Sequence, residues 1–171
     1  LFEMPKNPAW GNFVKAITKG RLLRYMKNDL IISLLKVPLG IFISSMAAFA
    51  ISRQRLKHAT GWFVFFLIGM MLPMQIALVP ISIIYNKLTL INTYFGLFYV
   101  YIGFGISFMI LIMHGFMKGI PKEIDEAAYI DGASKWQIFI RVILPISKPS
   151  IATLFITDFL ATWNEYLLAS V

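Results

Sequence analysis

The sequence predicts an all-α, polytopic bundle of transmembrane helices, and three observations support this fold class. The chain of 171 residues is 58% hydrophobic with a mean hydropathy of +0.74, so it has too little polar surface to cover a soluble globule. Its apolar residues form runs near the roughly 20 residues that a helix needs to cross a bilayer. No segment alternates with the period of two that is typical of a barrel strand.

Four candidate transmembrane helices follow from these runs, at residues 30–51, 62–84, 94–116 and 150–171. Backbone groups in lipid must bond to one another, which only helices achieve within one segment. Pro38 in the first run, and Pro73 and Pro80 in the second, predict kinks. We expect one transmembrane domain over the whole chain.

The two ends of the chain have different characters. Residues 1–28 place apolar residues at helical spacing among lysines and arginines, which is typical of a helix lying along a membrane surface. The chain begins at Leu1 and reaches Val171 inside an apolar stretch. We therefore expect a piece of a longer protein, with a first and a last span missing.

Charge and motif content exclude several function classes. The net charge is +8, but the basic residues fall between apolar runs, which indicates contact with lipid head groups and a protein partner and not with nucleic acid. Cysteine is absent, which excludes disulfides and thiolate metal sites. The two histidines stand in no HExxH motif and no GxSxG is present, so we expect no enzyme and no metal. Without a GxxxxGK[ST] loop the chain is not expected to bind ATP.

Residues 117–148 form a loop too polar for hydrocarbon but patterned as two short helices. Gly132 tolerates the left-handed conformation that ends a first helix. Ser134, three residues before Gln137, fits a capping box that starts a second helix, and Pro145 is expected to end it. A helix, a glycine hinge and a second helix predict a docking element for another protein, as opposed to an ordinary interfacial hairpin.

The spacing inside this loop resembles a known family motif. Glu-Ala-Ala, three residues, Gly, nine residues and Val-Ile-Leu-Pro is similar to the EAA motif of permease subunits of bacterial and archaeal ABC importers, with Val142 as a mild departure. Leu72-Pro73-x-Gln75 and Trp163-Asn164-Glu165-Tyr166 resemble the smaller permease of the maltose and glycerol-3-phosphate type. The ATPase-coupling residues implied by this resemblance are Glu126, Ala127, Ala128, Asp131, Gly132, Ala133, Val142, Leu144 and Pro145.

The resemblance implies a type I importer permease fold and a set of partners. The loop at 117–148 would be the cytoplasmic coupling loop, and 1–28 would lie outside. Loop charges alone leave the orientation open, because residues 1–28 and the Lys87 loop together carry seven basic residues, against eight in the loops at 53–58 and 117–149. Two cytoplasmic ATPase subunits would hold ATP and Mg. A second permease, forming a heterodimer, and an extracytoplasmic solute-binding protein would complete an importer of a sugar or polyol in a bacterial or archaeal cell membrane.

Four polar residues near the spans are candidates for the solute pathway: Gln75, Asp158, Asn164 and Glu165. Asp158 and Glu165 are seven residues apart, so on a continuous helix they share one face. They either contact solute or form a buried structural pair with helices outside this chain, and Glu165 could instead lie near the outer surface. We expect Lys36 to extend its ammonium group to the outer surface, in preference to a pathway role.

Two other functions fit parts of the sequence. An ion-coupled secondary transporter or channel fragment would use Asp158 and Glu165 for coupling and would move solute without an ATPase. A membrane scaffold would recruit an ATPase through the 117–148 loop without moving solute. Solute flux measured with and without ATP separates the three hypotheses.

Overall fold

The computed structural model describes residues 10–54 and 56–170, and these residues form helices and turns without a strand. The predicted all-α class is therefore confirmed. Because Arg21 has a left-handed backbone, with φ of 50°, it separates a short first helix from a long second one. The helices are α1 Gly11–Thr18, α2 Leu22–Arg53, α3 Ala59–Met71, α4 Met74–Lys87, α5 Tyr94–Gly119, α6 Glu123–Ile130, α7 Lys135–Ile138, a π-helix Phe139–Ile143, α8 Leu144–Ile146, α9 Lys148–Trp163 and a 3-10 helix Leu168–Ser170.

Helices α2 and α5 are each long and apolar enough to cross a membrane. Helix α2 begins eight residues before the predicted span, because residues 22–29 contain no helix breaker and continue the same helix. It also runs through Pro38, so this proline does not interrupt it. Helix α5 starts where the sequence predicts, at Tyr94, since Thr93 caps it by accepting a hydrogen bond from the Gly96 amide.

The second predicted span is two helices, α3 and α4, bent by 90° across the break at residues 72–73. Pro73 has extended backbone and immediately precedes α4, and its missing N–H and rigid ring disfavour a continuous helix there. The kink predicted at Pro73 is therefore a full break. Pro80 lies inside α4 without ending it.

The last helix, α9, is shorter than the predicted span 150–171, because it ends at Trp163. The Asn164 side chain donates from Nδ2 to the Leu160 carbonyl at 2.8 Å, and this bond closes the last turn. Helix α9 is also bent by 72° from the preceding helical run Lys135–Ile146, with the break at Ser147.

The main core forms where α2 packs along α5, with α9 and the π-helix against them. Gly40 allows close approach of the two long helices, since a Cβ there would lie 3.0 Å from the Met109 methyl group. The two helices run in the same direction, so both end beside the polar loop. The buried members of this core include Val37, Ile41, Ala48, Phe49, Met109, Met113, Met117, Ile138, Phe139, Ile143 and Leu154.

Candidate functional site

The polar loop forms an elbow of two helical arms, residues 123–146, at the end of the bundle where α2 and α5 finish. Helix α6 is the first arm and carries three acidic residues in its first turn, where the positive end of the helix dipole favours them. Its outer face, defined as Glu123, Glu126, Ala127 and Ile130, is exposed. Ile130 is 87% exposed, which is unusual for so apolar a side chain and fits a surface that binds another protein.

Gly132 forms the bend between the arms. Asp131 ends α6, and Gly132 follows with φ of +81°, a left-handed conformation that other residues adopt only with strain. A Cβ at Gly132 would meet no described atom within 4 Å, so its backbone conformation alone requires glycine. The predicted end of the first helix is thus confirmed.

The second arm begins with the predicted capping box and runs further than predicted. Ser134 Oγ accepts from the backbone N–H of Gln137 at 3.3 Å, and Gln137 Oε1 accepts from the backbone N–H of Ser134 at 2.7 Å. The prediction that Pro145 ends this helix is wrong, because helical structure continues to Ile146. Pro145 sits in the first turn of α8, just after the wide π-turn, where its missing N–H costs little.

The structure divides the predicted coupling residues into two groups. One group is exposed and available to a partner, and the other packs partly against the main core. Those exposed are Glu126, Ala127, Asp131, Gly132 and Pro145, and those packed inward are Ala128, Ala133, Val142 and Leu144. An open depression of about 320 Å³ lies between the arms, with Gly132 and Arg141 among its lining residues. The contact of these residues with an ATPase stays a prediction.

Arg53, the last residue of α2, contacts the first arm. The sequence alone did not single it out, because there it is only one of several basic residues between two predicted spans. Its Nε donates to Asp125 Oδ2 at 2.8 Å. Its Nη atoms donate to backbone carbonyls at Met117 (3.2 Å), Ile120 and Pro121 (3.0 Å). A sequence signal existed in the position of Arg53 at a helix end, but its partners are more than sixty residues away.

Lys36 forms a buried ion pair with Asp158, so the prediction that it reaches the outer surface is wrong. Its Nζ donates to the two Asp158 carboxylate oxygens at 2.6 and 2.7 Å and to Thr162 Oγ1 at 3.1 Å. The side chains of Lys36 and Asp158 are 3% and 7% exposed. Gly105 on α5 leaves room for the pair, because a Cβ there would lie 3.0 Å from the Lys36 nitrogen. An ion pair within the bundle removes the need to reach water.

No described hydrogen bond joins any two of the predicted pathway residues. Asp158 and Glu165 do not share a helical face, since α9 ends between them. Glu165 instead accepts from the Tyr101 hydroxyl at 2.7 Å and from the Leu168 amide at 2.8 Å. Asn164 bonds the end of α9, as described above, and Gln75 is exposed in the first turn of α4. Contact of these four residues with solute stays a prediction.

A cavity of about 410 Å³ lies at the other end of the bundle, beside the N-termini of α2 and α5. The Tyr94 hydroxyl there donates to Asn28 Oδ1 at 2.8 Å and joins the two helix ends. The cavity wall mixes apolar side chains with tyrosine, amide and charged groups, among them Tyr25, Asn28, Asp29, Tyr85 and Asn92.

Comparisons with known proteins give one family. The chain is 35% identical over 170 residues to a putative ABC transporter permease of Caldicellulosiruptor sp. (strain Rt8B.4), covering 99% of this chain and 62% of the relative. It is 34% identical to a probable permease for starch degradation products of Thermoanaerobacterium thermosulfurigenes, covering 99% of this chain and 61% of the relative. The chain thus spans about three fifths of the length of these relatives.

The fold is similar to that in a crystal structure of a bacterial ABC transporter involved in the import of the acidic polysaccharide alginate. The TM-score is 0.81 at 23% identity, over 98% of this chain and 58% of that one. Residues 38–171 match the profile of a family described as the binding-protein-dependent transport system inner membrane component. This match includes the elbow, all of α5 and α9, and α2 from Pro38 onward, whereas Lys36 lies just before it. The chain belongs to that family of inner membrane transport components.

Proposed function

We propose that this chain is part of a membrane-spanning permease subunit that forms the pathway for a sugar or related polyol in an ATP-driven importer. The chain itself is non-catalytic. Two cytoplasmic ATPase subunits bind ATP with Mg and hydrolyse it, and they engage the elbow of this chain. An extracytoplasmic solute-binding protein delivers the solute, and a second, different permease completes the pathway in a bacterial or archaeal membrane that this subunit crosses several times.

The observation that carries the proposal is the construction of the elbow. Its first arm presents an exposed outer face that ends in Ile130, while its second arm packs into the core that α2 and α5 form. One arm is therefore available to an ATPase, and the other is joined to helices that cross the membrane. Such an arrangement can transmit a movement from a cytoplasmic partner into the bundle.

The sugar class is supported by the relatives and by chemistry. A relative that shares 34% identity is named for transport of starch degradation products. The cavity near the N-termini of α2 and α5 offers tyrosine and amide side chains, such as Tyr85 and Asn92, which bind ring faces and hydroxyl groups. This cavity would face outward with the elbow in the cytoplasm.

Site-specific crosslinking tests the contact with the ATPase, and the absence of cysteine from this sequence makes it direct. The full permease carrying Ile130→Cys should crosslink to the ATPase in the assembled transporter. Ile76→Cys on α4, at a residue that is 72% exposed, is the matched control and should not. Equal crosslinking from both positions, or none from Ile130→Cys, would contradict the proposal.

Solute flux separates the importer from its two rivals. The complete transporter in vesicles should take up sugar only when ATP, the ATPase and the binding protein are all present. Uptake without the ATPase would identify an ion-coupled carrier or channel. Binding of the ATPase without any uptake would identify a scaffold.

A further inference from the structure

The first arm of the elbow lacks the apolar anchoring that the second arm has. Among the described residues of α6 none is fully buried, and Ile124 and Ala128 only pack against the edge of the core. The second arm, in contrast, buries Phe139 almost completely, with its ring centre 5.2 Å from that of Phe49 on α2. Apolar burial therefore holds α6 less firmly than it holds the second arm, so a polar attachment contributes more to its position.

Arg53 supplies that attachment, because its guanidinium group joins three parts of the chain at once. It extends from the end of α2, donates to the Asp125 carboxylate of α6, and donates to carbonyls in the last turn of α5 and in the link to α6. Its side chain is only 1% exposed. The carbonyls at a helix C-terminus have no partner within the helix, and they attract a cation.

The geometry requires arginine and not merely a positive charge. A guanidinium group has five N–H donors in a rigid plane, and Arg53 uses its three nitrogens toward four acceptors. A lysine ammonium has three donors around one nitrogen, and it cannot span the same acceptors. Lysine at this position would keep the charge and lose most of the junction.

Asp125 depends on Arg53 in turn. Its Oδ2 accepts from Arg53, while its Oδ1 is buried and has no hydrogen-bond partner within the described part of the chain. A carboxylate that is 15% exposed and half-satisfied is stable only with a compensating charge beside it. Loss of Arg53 would therefore release the first turn of α6 toward water.

We propose that Arg53 is a positioning residue for coupling, which makes α6 move as one body with the ends of α2 and α5. This inference rests on the proposed function, since it assumes that an ATPase displaces α6. The first arm would receive the displacement at its outer face, and the Arg53–Asp125 junction would pass it to α2. The sites of ATPase contact and of force transfer would thus be different residues.

The test uses the complete transporter in lipid with Arg53→Lys, Arg53→Gln and Asp125→Asn. The readouts are the yield of ATPase that copurifies and the ratio of solute-stimulated to basal ATP hydrolysis. We expect Arg53→Lys and Arg53→Gln to keep the ATPase bound and to lower the ratio about fivefold. Asp125→Asn should lower it less, because the amide oxygen still accepts from Nε. The control is Lys118→Gln, an exposed charge in the last turn of α5, which should leave the ratio unchanged.

A distance measurement distinguishes a positioning role from a general loss of structure. Spin labels at Tyr129→Cys on α6 and Met46→Cys on α2, both exposed positions, report the separation of the two helices. With Arg53 present the distance should stay constant between the ATP-free and ATP-bound states. With Arg53→Lys the distribution of this distance should broaden, or its mean should change when ATP binds.

The outcomes separate this inference from the proposed function. If the wild-type transporter couples normally and Arg53→Lys changes neither the hydrolysis ratio nor the distance, only the proposed role of Arg53 is overturned. An equal loss of coupling in Lys118→Gln overturns it too. Failure of the unmodified elbow to contact the ATPase overturns the proposed function itself.

Discussion

Two cations of helix α2, Lys36 and Arg53, have nearly inaccessible side chains and are used in different ways. They lie seventeen residues apart, or about 25 Å along a helix. Lys36 faces Asp158 and Thr162 within the bundle, and its partners are side chains of one helix, α9. Arg53 lies at the end of the bundle, and most of its partners are backbone carbonyls near the elbow.

From this difference we infer that the Lys36–Asp158 pair fixes how α9 packs on α2, whereas the Arg53–Asp125 pair sets the position of α6. The Lys36–Asp158 pair has almost no access to water, so it is stable only when both members are present. It therefore determines that α9 packs on α2 in one register. The Arg53 side chain is as enclosed as that of Lys36, but Asp125 is 15% exposed and lies on α6, whose described residues include no fully buried one. Helix α6 can therefore move and let water replace the lost contacts at a lower cost. We expect changes in the first region to affect stability and changes in the second to affect coupling.

The largest effect should follow removal of one member of the inner pair. Lys36→Met leaves the Asp158 carboxylate buried without its cation and should destabilise the bundle by about 3–5 kcal/mol. Thermal unfolding of the full permease in detergent measures this loss. The double variant Lys36→Met with Asp158→Leu should regain most of it, because no charge then remains unpaired and Thr162 still donates to the Asp158 backbone carbonyl at 2.7 Å.

The double variant also tests whether the Lys36–Asp158 pair acts only by mutual compensation of its two charges. If it were as unstable as Lys36→Met alone, the pair would supply net attraction and not only mutual compensation. A stable Lys36→Met variant would show that the pair does not hold α9 at all.

The second prediction concerns Gly132, where we expect a small loss of stability and a large loss of coupling. Gly132→Val places a β-branched residue in a left-handed conformation and should add strain of about 1–2 kcal/mol without a clash. Stability of the bundle should fall slightly, while solute-stimulated ATP hydrolysis should be lost because the two arms can no longer keep their angle. Unfolding and hydrolysis are measured on the same preparation.

Gly115→Ala on α5 is the matched control for this change. Gly115 is helical, and an added Cβ would meet no described atom within 4 Å, so alanine should be neutral or slightly stabilising. Normal coupling in Gly132→Val, or equal loss in Gly115→Ala, would contradict the assignment of Gly132 as the bend that coupling requires.

The sequence predicted features that depend on neighbours along the chain and missed those that depend on distant ones. The glycine bend and the Ser134–Gln137 capping box follow from local spacing, and both are present. The ion pair of Lys36 joins residues 122 positions apart, and no periodicity connects them. The seven-residue spacing of Asp158 and Glu165 was misleading, because it assumes a helix that in fact ends at Trp163.

The smallest expected effect lies at the start of the second arm. Ser134→Ala removes the hydroxyl that accepts from the Gln137 amide, which typically costs about 1 kcal/mol. Amide hydrogen exchange at residues 134–138 should accelerate about fivefold, while Ser82→Ala, which removes a hydroxyl that donates to the Val79 carbonyl within α4, should leave this exchange unchanged. The buried Ile138 and Phe139 should confine this fraying to the first turn. Faster exchange through Ile143 would show that the cap, and not apolar burial, holds the second arm, and the contrast between the two arms would then disappear.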